Sequence, residues 1–256
     1  KEAELIKGAY NAEYGGRLSA VLNVISREGN QKSFQGKANL SLLSSQATLE
    51  GPFYKGAWLL SGRRTYFDIL LPKILPPATA ARVPPYYFYD IQSHVFSDLT
   101  EKDRISVSFY NGIDDLIFDT FGLNAKWGNS TVSSHYRRVF SERMIGNFLI
   151  ANSVFFTQFG LGGSSGLRSE NEIDDITVSA DMTWFKSPDA TVKFGLQHKT
   201  LGFQYLNAFQ DSIQFDVQTR PAEIGQYVKL KYAPNSIWII EPGLRINYYD
   251  VYPDSL

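Results

Sequence analysis

Few residues in this 256-residue chain have the types and spacing to do chemistry, and each candidate has a plainer competing reading. Gly162-Gly163-Ser164-Ser165-Gly166 fits the G-x-S-x-G pattern of a serine nucleophile, which needs a strand before it, a helix after it and a histidine partner. No helical period follows Gly166, so the string reads as a glycine-serine loop. His94, His135 and His198 stand too far apart for the close ligand spacing of a zinc site. Cysteine is absent, which removes disulfides, thiolate ligands and cysteine nucleophiles. Asp114, Asp115 and Asp119 form one acidic group, and Glu170, Glu172, Asp174 and Asp175 another. Either group could hold calcium or a cationic ligand, yet neither has calcium-loop spacing, and solvated acidic loops account for both. The residues thus point to a protein that is not an enzyme and holds no cofactor and no metal.

Charge narrows the partners. Lysine and arginine number 25 against 26 aspartate and glutamate, a net charge of -1 that gives no footprint for nucleic acid. Aromatic residues make up 14 % of the chain, which suits strands and lipid interfaces. No stretch approaches the roughly 18 consecutive apolar residues of a membrane-spanning helix. A membrane barrel stays open, because its strands need only about 9 to 11 residues of alternating character.

Strand-like runs fill the chain from about residue 34 onward. Ile176, Val178, Ala180, Met182 and Trp184 alternate with Thr177, Ser179, Asp181 and Thr183, and Ile105, Val107 and Phe109 alternate with Ser106, Ser108 and Tyr110. A period of two puts one apolar face and one polar face on each run. Short turns are expected near 54–56, 99–103, 140–143, 187–189 and 233–236, spaced about 44 residues apart, with longer connections at roughly 68–85, 112–125, 159–171 and 206–221. Short and long connections alternate throughout, as the periplasmic turns and extracellular loops of an outer-membrane barrel do. Phe67, Leu70, Leu71 and Ile74 have helical spacing before Pro76-Pro77, which predicts a short helix in the first long connection. Aromatic runs such as Tyr86 to Tyr89, Phe155-Phe156 and Trp184-Phe185 are expected in interfacial girdles.

The fold class is therefore all-β, an antiparallel transmembrane β-barrel. About eleven strands are expected, an odd number that would leave an edge unpaired in lipid, so further strands are expected beyond Leu256. Lys1 opens the chain without an initiator methionine or an apolar targeting segment, and both ends are expected to lie inside a longer protein.

The first thirty residues depart from the hairpin pattern. Tyr10-Asn-Ala-Glu-Tyr-Gly-Gly-Arg17 leads into Leu-Ser-Ala-Val-Leu-Asn-Val-Ile-Ser-Arg27, and Leu49-Glu50-Gly51-Pro52 and Ser61-Gly62-Arg63-Arg64-Thr65-Tyr66 follow in order. These strings resemble the end of the plug domain and the early barrel of TonB-dependent outer-membrane receptors, especially those of Bacteroidota. The resemblance implies a plug end over 1–30 and the first half of a barrel over 31–256. The barrels of such transporters have about 22 strands around a plugged lumen. It implies a receptor that binds a scarce nutrient (siderophore, cobalamin, glycan or peptide) outside the cell and imports it to the periplasm. The implied partners are outer-membrane lipid, the TonB-ExbB-ExbD energy-coupling complex and, in some receptors, a surface lipoprotein. The coupling segment, most of the plug and the last strands would lie outside these residues. On this reading Tyr14, Gly15, Gly16 and Arg17 form the plug junction, Tyr86, Tyr87 and Phe121 face a ligand from the loops, and Arg64 pairs with plug carboxylates from the lumen wall. A non-transporting structural or adhesive barrel is the alternative, and the plug-like segment separates the two.

Overall fold

The computed structural model describes residues 2–7, 11–15, 20–80, 82–118, 122–163 and 166–250. Two sheets account for nearly all of it. Strands β1 (Glu2–Lys7) and β2 (Ala20–Ile25) pair antiparallel as a sheet of their own, with Glu2 opposite Ile25 and Lys7 opposite Ala20. The second sheet has 12 strands. It runs through β3 (Gln35–Leu40), β4 (Ser44–Phe53), β5 (Gly56–Thr65), β6 (Tyr86–Asp98), β7 (Asp103–Phe118), β8 (Leu123–Ser141), β9 (Met144–Leu161), β10 (Leu167–Ser187) and β11 (Ala190–Phe209). β12 (Ser212–Thr219), β13 (Ala222–Tyr232) and β14 (Gly243–Asp250) complete it. Every pairing is antiparallel between chain neighbours, except that β11 meets β13 along Ala190–Thr200 and β12 along Phe203–Phe209. β12 and β13 thus act as one long strand interrupted at Arg220-Pro221, where proline cannot donate to the ladder.

Alternation fixes the two faces. Outward residues at mid-strand include Val107 and Phe109 on β7, Ile150 on β9, Ile176 and Val178 on β10, and Phe194 and Leu196 on β11, each between 38 and 61 % exposed. Side chains this apolar, left uncovered in rows across neighbouring strands, form the lipid-facing belt of a membrane barrel. The belt ends upward at Asn111, Asn152 and Asp174, where the Asn152 side chain donates to Asp174 at 2.7 Å. The inward face at the same level is polar, with Thr48, Ser61, Ser106, Ser133, His135 and Arg137. The core is correspondingly sparse, because a barrel wall buries its side chains against lipid and lumen contents. Phe96, at 1 % exposure, is the largest fully buried side chain among the described residues.

Turn positions and the first long connection, between β5 and β6, follow the sequence reading, whereas the other three long connections do not. β7 and β8 pair from Asp103 with Arg138 to Phe118 with Leu123, and β10 and β11 from Ser187 with Ala190 to Leu167 with Phe209. Most of the expected loops at 112–125, 159–171 and 206–221 are therefore paired strand that continues past the lipid belt. Polar outward residues there conceal the strand signal, since alternation weakens once neither face meets lipid. The first connection does carry a helix, α1 (Phe67–Ile74), followed by α2 (Pro77–Ala80). α1 ends where Leu75, which precedes Pro76, turns extended at φ -86°, ψ 149°. The aromatic runs split between the faces: Tyr87, Tyr89 and Phe156 point outward, and Tyr86, Phe88 and Phe155 inward, so only alternate members can join a girdle.

Candidate functional site: a segment clamped inside the lumen

The small sheet and the turn beside it are held to the inward face of the barrel wall at two places. The first is Glu13. Its carboxylate accepts from Lys193 on β11 and from Lys229 on β13, the latter at 3.1 Å. Lys193 and Lys229 face each other in register, so two cations converge on one carboxylate. Burial pushes the Glu13 carboxyl up, but the two ammonium groups outweigh it and hold the group below its ordinary value of 4.5. Arg245 on β14 completes the clamp, donating to the Glu13 carbonyl at 3.2 Å, to Gln197 Oε1 at 3.2 Å and to Asn247 Oδ1 at 2.7 Å. Its side chain is only 9 % exposed.

Two glycines make room for that guanidinium. A Cβ at Gly15 or at Gly225 would overlap the Arg245 side chain, so this arginine lies flat between the inner turn and the wall. The Tyr-Gly string therefore does more than turn the chain. It allows backbone to approach a buried cation. Tyr14 is half-buried beside the same clamp, and burial raises its phenol pKa. Gly16 and Arg17 lie outside the described residues.

The second attachment lies on the opposite part of the wall. Arg27 pairs with Glu50 on β4 at 2.6 Å, and Glu28 with Arg104 on β7 at 2.8 Å. Between this attachment and the wall is a cavity of about 800 Å³ bounded by Val24 to Glu28, Gln46, Ser61, His94, Ser108 and His135. Its lining is rich in hydroxyl groups.

The residues predicted as sites fall in different places. Arg64 alternates with Arg63, and it is Arg63 that turns inward, pairing with Asp90 at 2.6 Å. Arg64 faces outward, pairs with Asp68 of α1 at 2.8 Å, and lies over the Tyr87 ring. Its position on the even face of β5 explains this, since Ser61 and Leu59 of the odd face line the lumen. The cations that meet carboxylates of the inner segment are instead Lys193 and Lys229, 180 and 216 residues from Glu13 in the chain, and Arg104, which meets Glu28. Tyr87 shares the outward face and donates to Asp115 at 3.2 Å. Tyr86 faces inward beyond the lipid belt and donates to Asp114 at 2.6 Å; burial and that carboxylate push its phenol up to about 12. Phe121 lies outside the described residues.

Four of the acidic residues are paired within the chain, Asp115 with Lys126, Glu170 with Arg168, Asp174 with Arg220 and Asp175 with Lys199, and Asp119 lies outside the described residues. No cluster suited to a metal occurs among the described residues. His94 hydrogen-bonds Ser108 at 2.8 Å and His198 bonds Thr200 at 3.2 Å. β10, not a helix, follows Gly166, so the helix that the nucleophile pattern needs is not there, and Ser164 and Ser165 lie outside the described residues.

Solved structures with this architecture are known. The chain superposes on FpvA of P. aeruginosa bound to heterologous pyoverdines with a TM-score of 0.74, at 12 % identity over 99 % of this chain and 42 % of that one. It superposes on the copper transporter OprC at 0.70, with 11 % identity over 98 % and 43 % of the two chains. The ferric enterobactin receptor PfeA of Pseudomonas aeruginosa gives 0.68, with 14 % identity over 97 % and 44 %. No protein-family model and no curated protein sequence matches the chain. The fold is that of TonB-dependent outer-membrane receptors. The chain spans less than half the length of these three receptors.

Proposed function

We propose that this chain is the plug end, over 1–30, and the first barrel half, over 31–256, of an outer-membrane receptor that binds a small nutrient outside and imports it. The observation that carries this reading is the Glu13 clamp: a segment from outside the wall is held within the lumen by a few ion pairs that can be broken and remade. An adhesive or structural barrel has no use for a releasable obstruction. The neighbours' named cargoes, copper, pyoverdine and ferric enterobactin, support a small ligand in general without selecting one. Energy for displacing the plug would come from the TonB-ExbB-ExbD complex, and a surface lipoprotein is a further candidate partner. Tyr86 remains the ligand-facing candidate of the sequence reading, because it points inward above the membrane.

The test is a reversible lock. Glu13→Cys with Lys193→Cys in the complete protein should form a disulfide across the clamp. Deleting the gene should slow growth on limiting iron, limiting cobalamin, or a glycan or peptide as sole carbon source. The wild-type gene should restore growth fully, and the oxidised double variant should restore it only after reduction. Equal growth of the deletion under every limitation, or full restoration by the locked protein, would refute import.

A further inference from the structure

On β8 to β12 the polarity of the wall inverts above the lipid belt, whereas on β5 to β7 Arg63, Asp90 and Asp114 still face inward. Three successive inward rows cross β8, β9, β10, β11 and β12 in continuous register. The first is Asn129, Phe155, Ile173, Phe203, Thr219; the second Trp127, Thr157, Asn171, Tyr205, Val217; the third Ala125, Phe159, Ser169, Asn207, Phe215. None of these residues is charged. The outward residues of the same strands carry the charge instead, with Lys126, Arg168, Glu170, Glu172 and Asp216. Below the belt's upper edge the order is reversed, apolar outward and polar or charged inward, down to Asp181, Lys193 and Lys229.

A wall surrounded by water on both sides has no reason to turn its aromatic rings inward unless something apolar lies there. Phe155, Phe159 and Phe215 are 37, 39 and 62 % exposed, so the rings are not consumed by packing against one another. Within the middle row Asn171 Oδ1 is buried with no hydrogen-bond partner and has no surface for a ligand to touch. Phenylalanine outnumbers tryptophan and tyrosine here. That favours an aromatic partner over a sugar, which would use more polar-edged rings and charged or amide side chains.

We infer that this wall is a ligand-binding surface for a weakly charged small molecule that presents a flat aromatic face. The assignment rests on the receptor reading above and narrows its ligand. An anionic metal chelate would find no free cation on the three rows, and a neutral aromatic ring would displace water from the phenylalanine rings that it covers.

The complete receptor in lipid nanodiscs, titrated calorimetrically with 2-naphthol, ferric citrate and maltose against empty nanodiscs, provides the test. 2-Naphthol should bind saturably and at least tenfold more tightly than the other two. Phe155→Leu with Phe203→Leu, which keeps the wall apolar but removes its flat faces, should weaken it at least fivefold. Glu170→Gln with Glu172→Gln on the outward face should change nothing. Preference for ferric citrate or maltose, or indifference to the leucine pair, would overturn the ligand class and leave the receptor reading standing. If none of the three binds, the class is likewise overturned, and the locked-plug growth experiment decides separately whether the receptor reading falls with it.

Discussion

The two attachments of the inner segment differ in how they are built. On the β11–β14 side, one carboxylate meets two lysines and a nearly buried arginine, with glycines shaped around the guanidinium. On the β4–β7 side Arg27 meets Glu50, and Arg104 is shared between Glu28 and Asp98. Arg27 is 44 % and Glu28 51 % exposed, and a cavity adjoins them. Ion pairs screened by water contribute little, whereas removing one partner of a desolvated pair leaves a charge stranded. Tension applied to the segment should open the β4–β7 side, with its adjoining cavity, while the Glu13 clamp holds.

Gly15→Val is the severest challenge to that ordering. Its side chain would occupy the space of the Arg245 guanidinium, and overpacking of this kind typically costs about 1–3 kcal/mol. Hydrogen exchange of the β1–β2 amides in the complete protein should accelerate up to about a hundredfold, since each 1.4 kcal/mol is about tenfold. An unchanged rate would mean that Arg245 swings aside freely and that the clamp is not rigid.

Glu13→Gln comes next. It strands Lys229, only 13 % exposed, and the half-exposed Lys193, and should destabilise the attachment by about 2 kcal/mol after allowance for solvent. Exchange of the same amides should rise about thirtyfold. Acid acts through the same group. Because the folded carboxyl titrates below its ordinary 4.5, its contribution is complete above that value and is lost as pH falls through the lowered one. Loosening of the wild-type clamp should therefore begin only below about pH 4.5, and Glu13→Gln should remove that transition.

Arg27→Gln tests the weaker side. Breaking a pair with one exposed partner should cost about 1 kcal/mol, partly because Glu50, at 5 % exposure, loses its cation. Exchange near Val24 and Ile25 should rise about fivefold, and more salt should narrow the difference between variant and wild type. An effect as large as that of Glu13→Gln would erase the asymmetry.

Much of this was legible in the sequence, for reasons of periodicity. The alternating runs, the short turns and α1 are local signals, and Phe67, Leu70 and Ile74 or Ile176 to Trp184 announce their elements without help from the fold. The clamp was not legible. Lys193 and Lys229 look like any polar residues of a lumen face until register sets them opposite each other and the turn at Glu13 is brought to them. The unexplained part of the Tyr-Gly-Gly string was its second use, since sequence alone assigns Gly15 to a turn and says nothing of an arginine 230 residues later. The long strands beyond the membrane were hidden for a related reason. Once aromatic rings face inward and charges outward, the apolar face no longer marks the lipid side.

The smallest expected effect separates two adjacent arginines. Chemistry alone cannot rank Arg63 and Arg64, and either suits a pairing role in the lumen. Parity decides between them, because a strand reverses facing at every residue. Arg64 pairs with Asp68 four residues on and stacks over Tyr87, on a face shared with Leu60, so Arg64→Ala should change β1–β2 exchange less than twofold and overall stability by no more than about 0.5 kcal/mol. Arg63→Ala removes an inward pair with Asp90 and a ring contact with Phe88 at 4.8 Å, near the outer end of the lumen. It too should leave the clamp untouched while loosening the β5–β6 rim, read as faster exchange at Asp90 and Ile91. Acceleration of β1–β2 by Arg64→Ala would show that the outward face communicates with the inner segment through α1, and the division of labour between the two walls would have to include the helix.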